Sequence, residues 1–160
     1  MIVIPRSASS SNKPSLTQIA SQETSGILET HAILAVRKAS DNGDGSWGEW
    51  EYINPPMESG VEYRTTERFW GRPVYYKIVD CGQIADNKQV EHGVANTRDC
   101  IFCQGLRGAM PMPSISNNDL SDQWSYYVAD VNRTKITLAC GTAAAVGNCH
   151  VILKYTKTTD

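Results

Sequence analysis

The stretch that most constrains the fold is residues 55–82, PPMESGVEYRTTERFWGRPVYYKIVDCG. A turn containing Pro and Gly leads through a polar, charged segment into a β-branched and aromatic run. The run is interrupted only at Trp70-Gly71-Arg72-Pro73, which is the pattern of strand, tight turn, strand. In the second limb the even positions Val74, Tyr76 and Ile78 are apolar, while the odd positions mix Tyr75, Lys77 and Val79. Alternation at period two predicts that the even set, Tyr76 and Ile78 included, faces the core. Pro73 suits only the first residue of a strand, because it has no N–H to give a ladder.

The rest of the chain carries the same short-strand signature. Residues 1–13 are dominated by Ser, with Pro5 and Pro14 nearby, and read as a linker or extended arm. Residues 15–22 fit one or two helical turns, with Ser15 as N-cap, Leu16, Ile19 and Ala20 inward, and a stop before Gly26. The apolar run Ala32-Ile33-Leu34-Ala35-Val36 predicts a buried strand within residues 26–39. Asp41-Asn42-Gly43-Asp44-Gly45-Ser46 fails the spacing of a calcium loop and reads as a hairpin turn, since Asn-Gly and Asp-Gly supply positive φ angles. Residues 47–52 form the return strand, with its Gly at a bulge.

Strands are expected at 89–94 and 98–104 on either side of Ala95-Asn96-Thr97, and again at 124–129 and 134–140 around a hairpin at 130–133. Residues 105–122 read as one long polar insert. Residues 141–147 form a small-residue loop, and 148–156 close the chain with Val151, Leu153 and Tyr155 on one face. Short strands with turn signals between them predict an all-β fold, a β-sandwich or jelly-roll-like domain, with no internal repeat.

Charge and composition exclude several functions. The 160 residues carry a net charge of −2, and Lys and Arg form no basic stripe, so nucleic acid is not an expected partner. Five cysteines, an odd number without a secretory signal, argue against a disulfide framework. Cys100 and Cys103 form one CxxC, for which Cys140, Cys149 and His150 are the only further zinc ligands that the spacing permits. No second CxxC or CxxH is present, so free thiols, and no metal or cofactor, are the expectation. The longest wholly apolar run is residues 32–36, too short for membrane insertion, and the N-terminus lacks the apolar core of a secretory signal. A soluble, cytoplasmically made chain is expected.

No catalytic constellation stands out. Glycan cleavage needs two carboxylates around the bond, yet Glu58, Glu62, Glu67, Asp80, Asp119, Asp122 and Asp130 are all candidates and none is singled out. The histidines His31, His92 and His150 have no G-x-S-x-G elbow to work with, and phosphate-binding glycine motifs are absent. A binding protein, not an enzyme, is the reading that remains.

The wording of the sequence adds a resemblance. NPPMESGVEYRTTERFWGRPVYYKIVDCG, the later VEHGV and the final LKYTKTTD, in that order, resemble the C-terminal tip region of bacteriophage tail-fibre and baseplate receptor-binding proteins. WGEW followed by NPP is similar to the end of the small knob-like modules that precede such tips. The resemblance implies residues 1–54 as an arm and partial β-module for fibre attachment, and residues 55–160 as a terminal receptor-binding β-domain. It further implies a homotrimer located in the virion, in contact with other fibre or baseplate proteins and with a bacterial cell-surface glycan. A trimer would also cover strand edges that are aggregation hazards in a monomer. A purely structural virion fibre protein and a glycan depolymerase are the alternatives. In the VEHGV wording His92 reads as structural.

Recognition is expected on exposed loops carried by a rigid sheet. The long insert offers Arg107, Asn117, Asn118, Asp119 and Asp122 as donors and acceptors for sugar hydroxyls. Tyr127, just beyond it, offers a ring for stacking, whereas Trp124 shares parity with Tyr126 and Val128 and reads as core.

Overall fold

The computed structural model describes residues 2–5, 16–25, 30–39, 46–84, 87–108, 110–112, 126–131, 133–140 and 147–159. Strands take up 74% of these residues and helices none, so the chain is all-β. It divides into two compact units, the first Met1–Pro56 with Tyr63–Glu67, the second Met57–Glu62 with Arg68–Asp160. Residues 63–67 therefore group with the N-terminal unit, not with the C-terminal domain in which the sequence division at 54/55 places them.

In the first unit, β1 (Ile2–Pro5) pairs antiparallel with β2 (Leu16–Ser25), which pairs antiparallel with β3 (Thr30–Lys38) over nine residue pairs from Thr17↔Lys38 to Ser25↔Thr30. The expected helix at 15–22 is thus a strand. Its apolar residues at 16, 19 and 20 suit one helical turn, but Thr17, Ile19 and Thr24 are β-branched, and β3 offers a complete ladder along the segment. The short β4 (Glu51–Tyr52) continues the order beside β3, and Tyr52 pairs in parallel with Thr65 of β5 (Glu62–Phe69). Only Glu51 and Tyr52 of the expected return strand at 47–52 lie in a strand, apart from a bridge between Ala39 and Trp47. The turn expected at 41–46 lies outside the described residues except for Ser46. Arg37 sits between the rings of Trp47 and Trp50, 5.2 and 4.5 Å from their centroids, and donates to Gln18. The two tryptophans of WGEW thus serve packing inside this unit.

The second unit contains β6 (Arg72–Ile84), β7 (Lys88–Glu91), β8 (Thr97–Arg107), β9 (Met110–Met112), β10 (Tyr126–Val131), β11 (Lys135–Cys140) and β12 (Gly147–Lys157). One sheet runs β6-β12-β8-β9 and the other β10-β11-β7, with antiparallel neighbours throughout. A single apolar core joins them. Tyr75, Val79, Cys81, Ile84, Met112, Cys149, Val151, Leu153 and Tyr155 come from the first sheet, and Ile136 and Leu138 from the second. The arrangement is sandwich-like.

The closing strand behaves as its alternation predicts, with Val151, Leu153 and Tyr155 buried. For β6 the expected parity holds at Val74, which is buried, but is reversed from Tyr75 onward. The core face holds Tyr75, Val79 and Cys81, whereas Tyr76 and Ile78 are only half-buried on the opposite face. Pairing decides this, because Tyr75 lies opposite Tyr155 and Val79 opposite Val151, and directly paired residues share a face. Lys77 is tolerated on the core side because its ammonium reaches out to the Gly93 carbonyl at 3.2 Å. The long insert is also shorter than expected. Residues 105–107 finish β8, Gly108 turns at φ 55°, and β9 returns with Arg107 opposite Met110 and Gly105 opposite Met112.

Candidate functional site

The residues proposed for recognition fall in different places. Arg107 is half-buried within strand β8, not on a loop, and its side chain covers Gly147 of β12. Asn117, Asn118, Asp119 and Asp122 lie outside the described residues, as does Trp124. Tyr127 belongs to β10 opposite Ala139, and its side chain lies outside what is described. His92 is buried, its ring Nδ1 accepting from the Val94 backbone N–H at 3.2 Å while its own backbone N–H donates to the Thr134 carbonyl. It organises the turn after β7.

What sequence parity concealed is the outer face of the β6-β12-β8 sheet. Because Val151, Leu153 and Tyr155 point into the core, His150, Ile152 and Lys154 of the central strand point away from it. Register then builds three rows across the sheet: Tyr76, Lys154 and Phe102; Ile78, Ile152 and Gln104; Asp80, His150 and Leu106. The Lys154 ammonium lies 4.3 Å from the Tyr76 ring centroid and 5.9 Å from that of Phe102. Phe102 keeps 44% of its surface exposed, a large share for a phenyl ring in a strand. Ile78, Ile152 and Leu106 are half-buried beside it. The result is a partly apolar outer face with two rings on either side of one cation.

Polar groups edge this face. Gln104 donates to the carbonyls of Gly105 and Met112, which holds its amide in place. His150 Nε2 stands 3.8 Å from Asp80 Oδ1, and the same carboxylate oxygen accepts from the Gly82 N–H at 2.8 Å. Both side chains are exposed, so this pair adds little stability and leaves their hydrogen-bonding capacity open to solvent. Chemically the face offers stacking surface, one cation, one carboxylate and one amide. These are the components of a polar, ring-shaped ligand's site.

Beneath it, the first sheet is tightly secured. Tyr155 stacks on Tyr75 with centroids 5.8 Å apart and an interplanar angle of 16°. Its hydroxyl donates to the Glu62 carboxylate, whose other oxygen accepts from Lys157. Burial first, and the neighbouring carboxylate second, push the Tyr155 hydroxyl above the ordinary tyrosine range. Cys81 and Cys149 are buried free thiols, while Cys100 is an exposed one. Burial pushes the Cys81 thiol up to about 12, with Cys149 and Asp80 adding to the effect and Lys88 opposing it. Among the described residues no three His, Cys, Asp or Glu side chains gather as metal ligands would.

No family model, curated protein or solved structure matches the chain.

Proposed function

We propose that the chain is an attachment module of a bacteriophage fibre tip and that it binds a bacterial surface saccharide. The observation that carries the reading is the row Tyr76, Lys154 and Phe102 on the outer face of a rigid sandwich sheet. Sugar rings present an apolar C–H face and a polar rim, so a partly apolar face with two rings, edged by Lys154, Gln104, Asp80 and His150, complements both. The resemblance of three ordered stretches to fibre-tip proteins supports the same reading, as does the absence of a singled-out catalytic pair in the sequence. Assembly as a homotrimer in the virion, joined to other fibre or baseplate proteins through residues 1–54, completes the proposal.

The test is binding of the full chain to a panel of intact bacteria and to polysaccharide extracted from them, with Phe102→Ala alongside. Saturable binding that Phe102→Ala weakens by tenfold or more, with the glycan left at its original length, is expected. Absence of binding across the panel would favour a structural virion protein, and shortening of the glycan would favour a depolymerase.

A further inference from the structure

The hairpin between β5 and β6 carries a feature that the saccharide platform does not use. Its two turn residues are Trp70 at φ 48° and Gly71 at φ 77°, the paired positive φ angles of a type I′ turn. Gly71 adopts that angle freely, whereas a bulky indole there is a genuine outlier, and asparagine, aspartate or glycine is the usual occupant. Strain of this kind persists where the side chain has a use. The indole is also 86% exposed, the most exposed of the large apolar side chains described. Phe69 stacks on it at 5.0 Å with an interplanar angle of 21°, so the tip presents two adjoining rings.

The base of the tip carries two arginines, Arg68 and Arg72, and one exposed carboxylate, Glu67. Arg72 donates to the carbonyl of Lys157, a neutral partner that leaves its charge intact. Arg68, on the other limb, is exposed. Apolar area on an exposed two-residue turn leaves water only when another surface covers it, and an aromatic pair beside arginines suits an anionic interface. Indole rings favour the boundary between lipid headgroups and acyl chains, and arginine favours the anionic phosphates at that level.

We propose that the Phe69-Trp70 tip inserts into the interfacial layer of an anionic lipid surface, with Arg72 and Arg68 at headgroup depth. Such insertion needs no apolar run in the sequence, because two aromatic rings on a two-residue turn reach the boundary without crossing it. It is independent of the saccharide reading, and vesicles free of any glycan separate the two.

The experiment is co-sedimentation of the full chain with phosphatidylcholine vesicles, with and without 30% phosphatidylglycerol in the manner of about a third anionic lipid. Trp70→Gly and Arg72→Gln are compared with the unaltered chain, and each variant's melting temperature and oligomeric state are measured. Expected is sedimentation with the anionic vesicles that falls about tenfold in Trp70→Gly, weakens in Arg72→Gln and weakens at high salt. Trp70→Gly should melt no lower than the unaltered chain, because glycine relieves the positive φ. The proposal is overturned by absence of sedimentation of the unaltered chain, or by equal sedimentation of Trp70→Gly. A Trp70→Gly variant that changes oligomeric state overturns it too, since the indole would then be a packing contact between copies.

Discussion

Tyr155, in the last strand, donates its hydroxyl proton to the carboxylate of Glu62, a residue 93 positions earlier at the start of β5. The contact ties the end of the chain to the beginning of the central hairpin, and Lys157 shares the same carboxylate. Removing either partner has unequal effects, because one loss leaves a buried polar group alone and the other does not. Tyr155→Phe keeps the stack on Tyr75 and leaves Glu62 with Lys157, so it should cost about 1 kcal/mol. Glu62→Ala strands a buried hydroxyl and should cost more, about 2 kcal/mol. Urea melts of the two single variants and the double variant check this, and a coupling energy near zero would show that the hydrogen bond does not hold the strand.

Alkaline pH should destabilise the fold in two stages. Cys81 holds its proton up to about 12 in the folded chain against an ordinary value of 9.0. Between these values the unfolded chain has lost a proton that the folded chain keeps, so stability falls as pH rises, by about 1.4 kcal/mol per pH unit at most. Below pH 9 the contribution is fully present. Tyr155, raised above its ordinary 10.0, acts with the same sign from pH 10 upward. Denaturant melts at pH 8.5, 9.5 and 10.5 in steps of about one unit should show this decline. Cys81→Ala should flatten the first step, and Tyr155→Phe the steepening beyond pH 10.

The strands and turns were legible where alternation, length and turn chemistry agreed. β12 is such a case, with Val151, Leu153 and Tyr155 apolar at period two and buried as read. Asn96, at φ 58°, supplies the turn expected between β7 and β8. β6 was misread because both of its faces are apolar enough to be core, and only its partner β12 selects one. The outer face of the β6-β12-β8 sheet was hidden for the same reason, since its residues come from three strands whose register no local pattern displays. For β2, a segment with no decisive period, pairing with β3 overrode a weak helical reading. Arg107 was assigned to a loop because residues 105–122 read as a polar insert containing Pro111, Pro113 and Asn117-Asn118-Asp119, while β9 in fact extends the sheet there.

The parity of β6 can be tested directly. Val79→Ala removes a buried side chain and Leu153→Ala another, opposite Cys103 across the sheet, so both should destabilise clearly, Leu153→Ala by about 2–5 kcal/mol. Ile78→Ala, on the outer face, should cost about 1 kcal/mol or less. A larger loss for Ile78→Ala than for Val79→Ala would mean that the even face is the buried one after all.

A side chain at Gly147 requires Arg107 to shift. A Cβ there would stand 2.5 Å from Nε of Arg107 and 3.1 Å from its Cγ. Gly147→Ala should therefore displace the Arg107 side chain from its half-buried position, at a cost of about 1–3 kcal/mol. Arg107→Ala introduced together with it should recover most of the loss, because the clash is with that side chain and not with backbone. Thermal melts of the two single variants and the pair give the answer, and additive losses would place the strain elsewhere.

The proposed role of the Tyr76-Lys154-Phe102 face in saccharide binding makes a prediction that a purely structural face would not. Phe102 is exposed and Tyr76 half-buried, so Phe102→Ala should leave the melting curve within about 0.5 kcal/mol of the unaltered chain. Lys154→Gln removes the charge between the two rings and should cost about 1 kcal/mol of folding stability at most, the ordinary worth of an exposed cation–π contact. Each should nevertheless weaken glycan binding by tenfold or more, the equivalent of about 1.4 kcal/mol. Raised salt should weaken binding only to the extent that the glycan is acidic, and Lys154→Gln should remove that salt dependence. Isothermal titration with extracted polysaccharide, run beside the melts, measures both quantities on the same preparation. If Phe102→Ala and Lys154→Gln bind as the unaltered chain does while Leu153→Ala alone loses binding through unfolding, this face is scaffold. Recognition then has to be sought in residues 113–125.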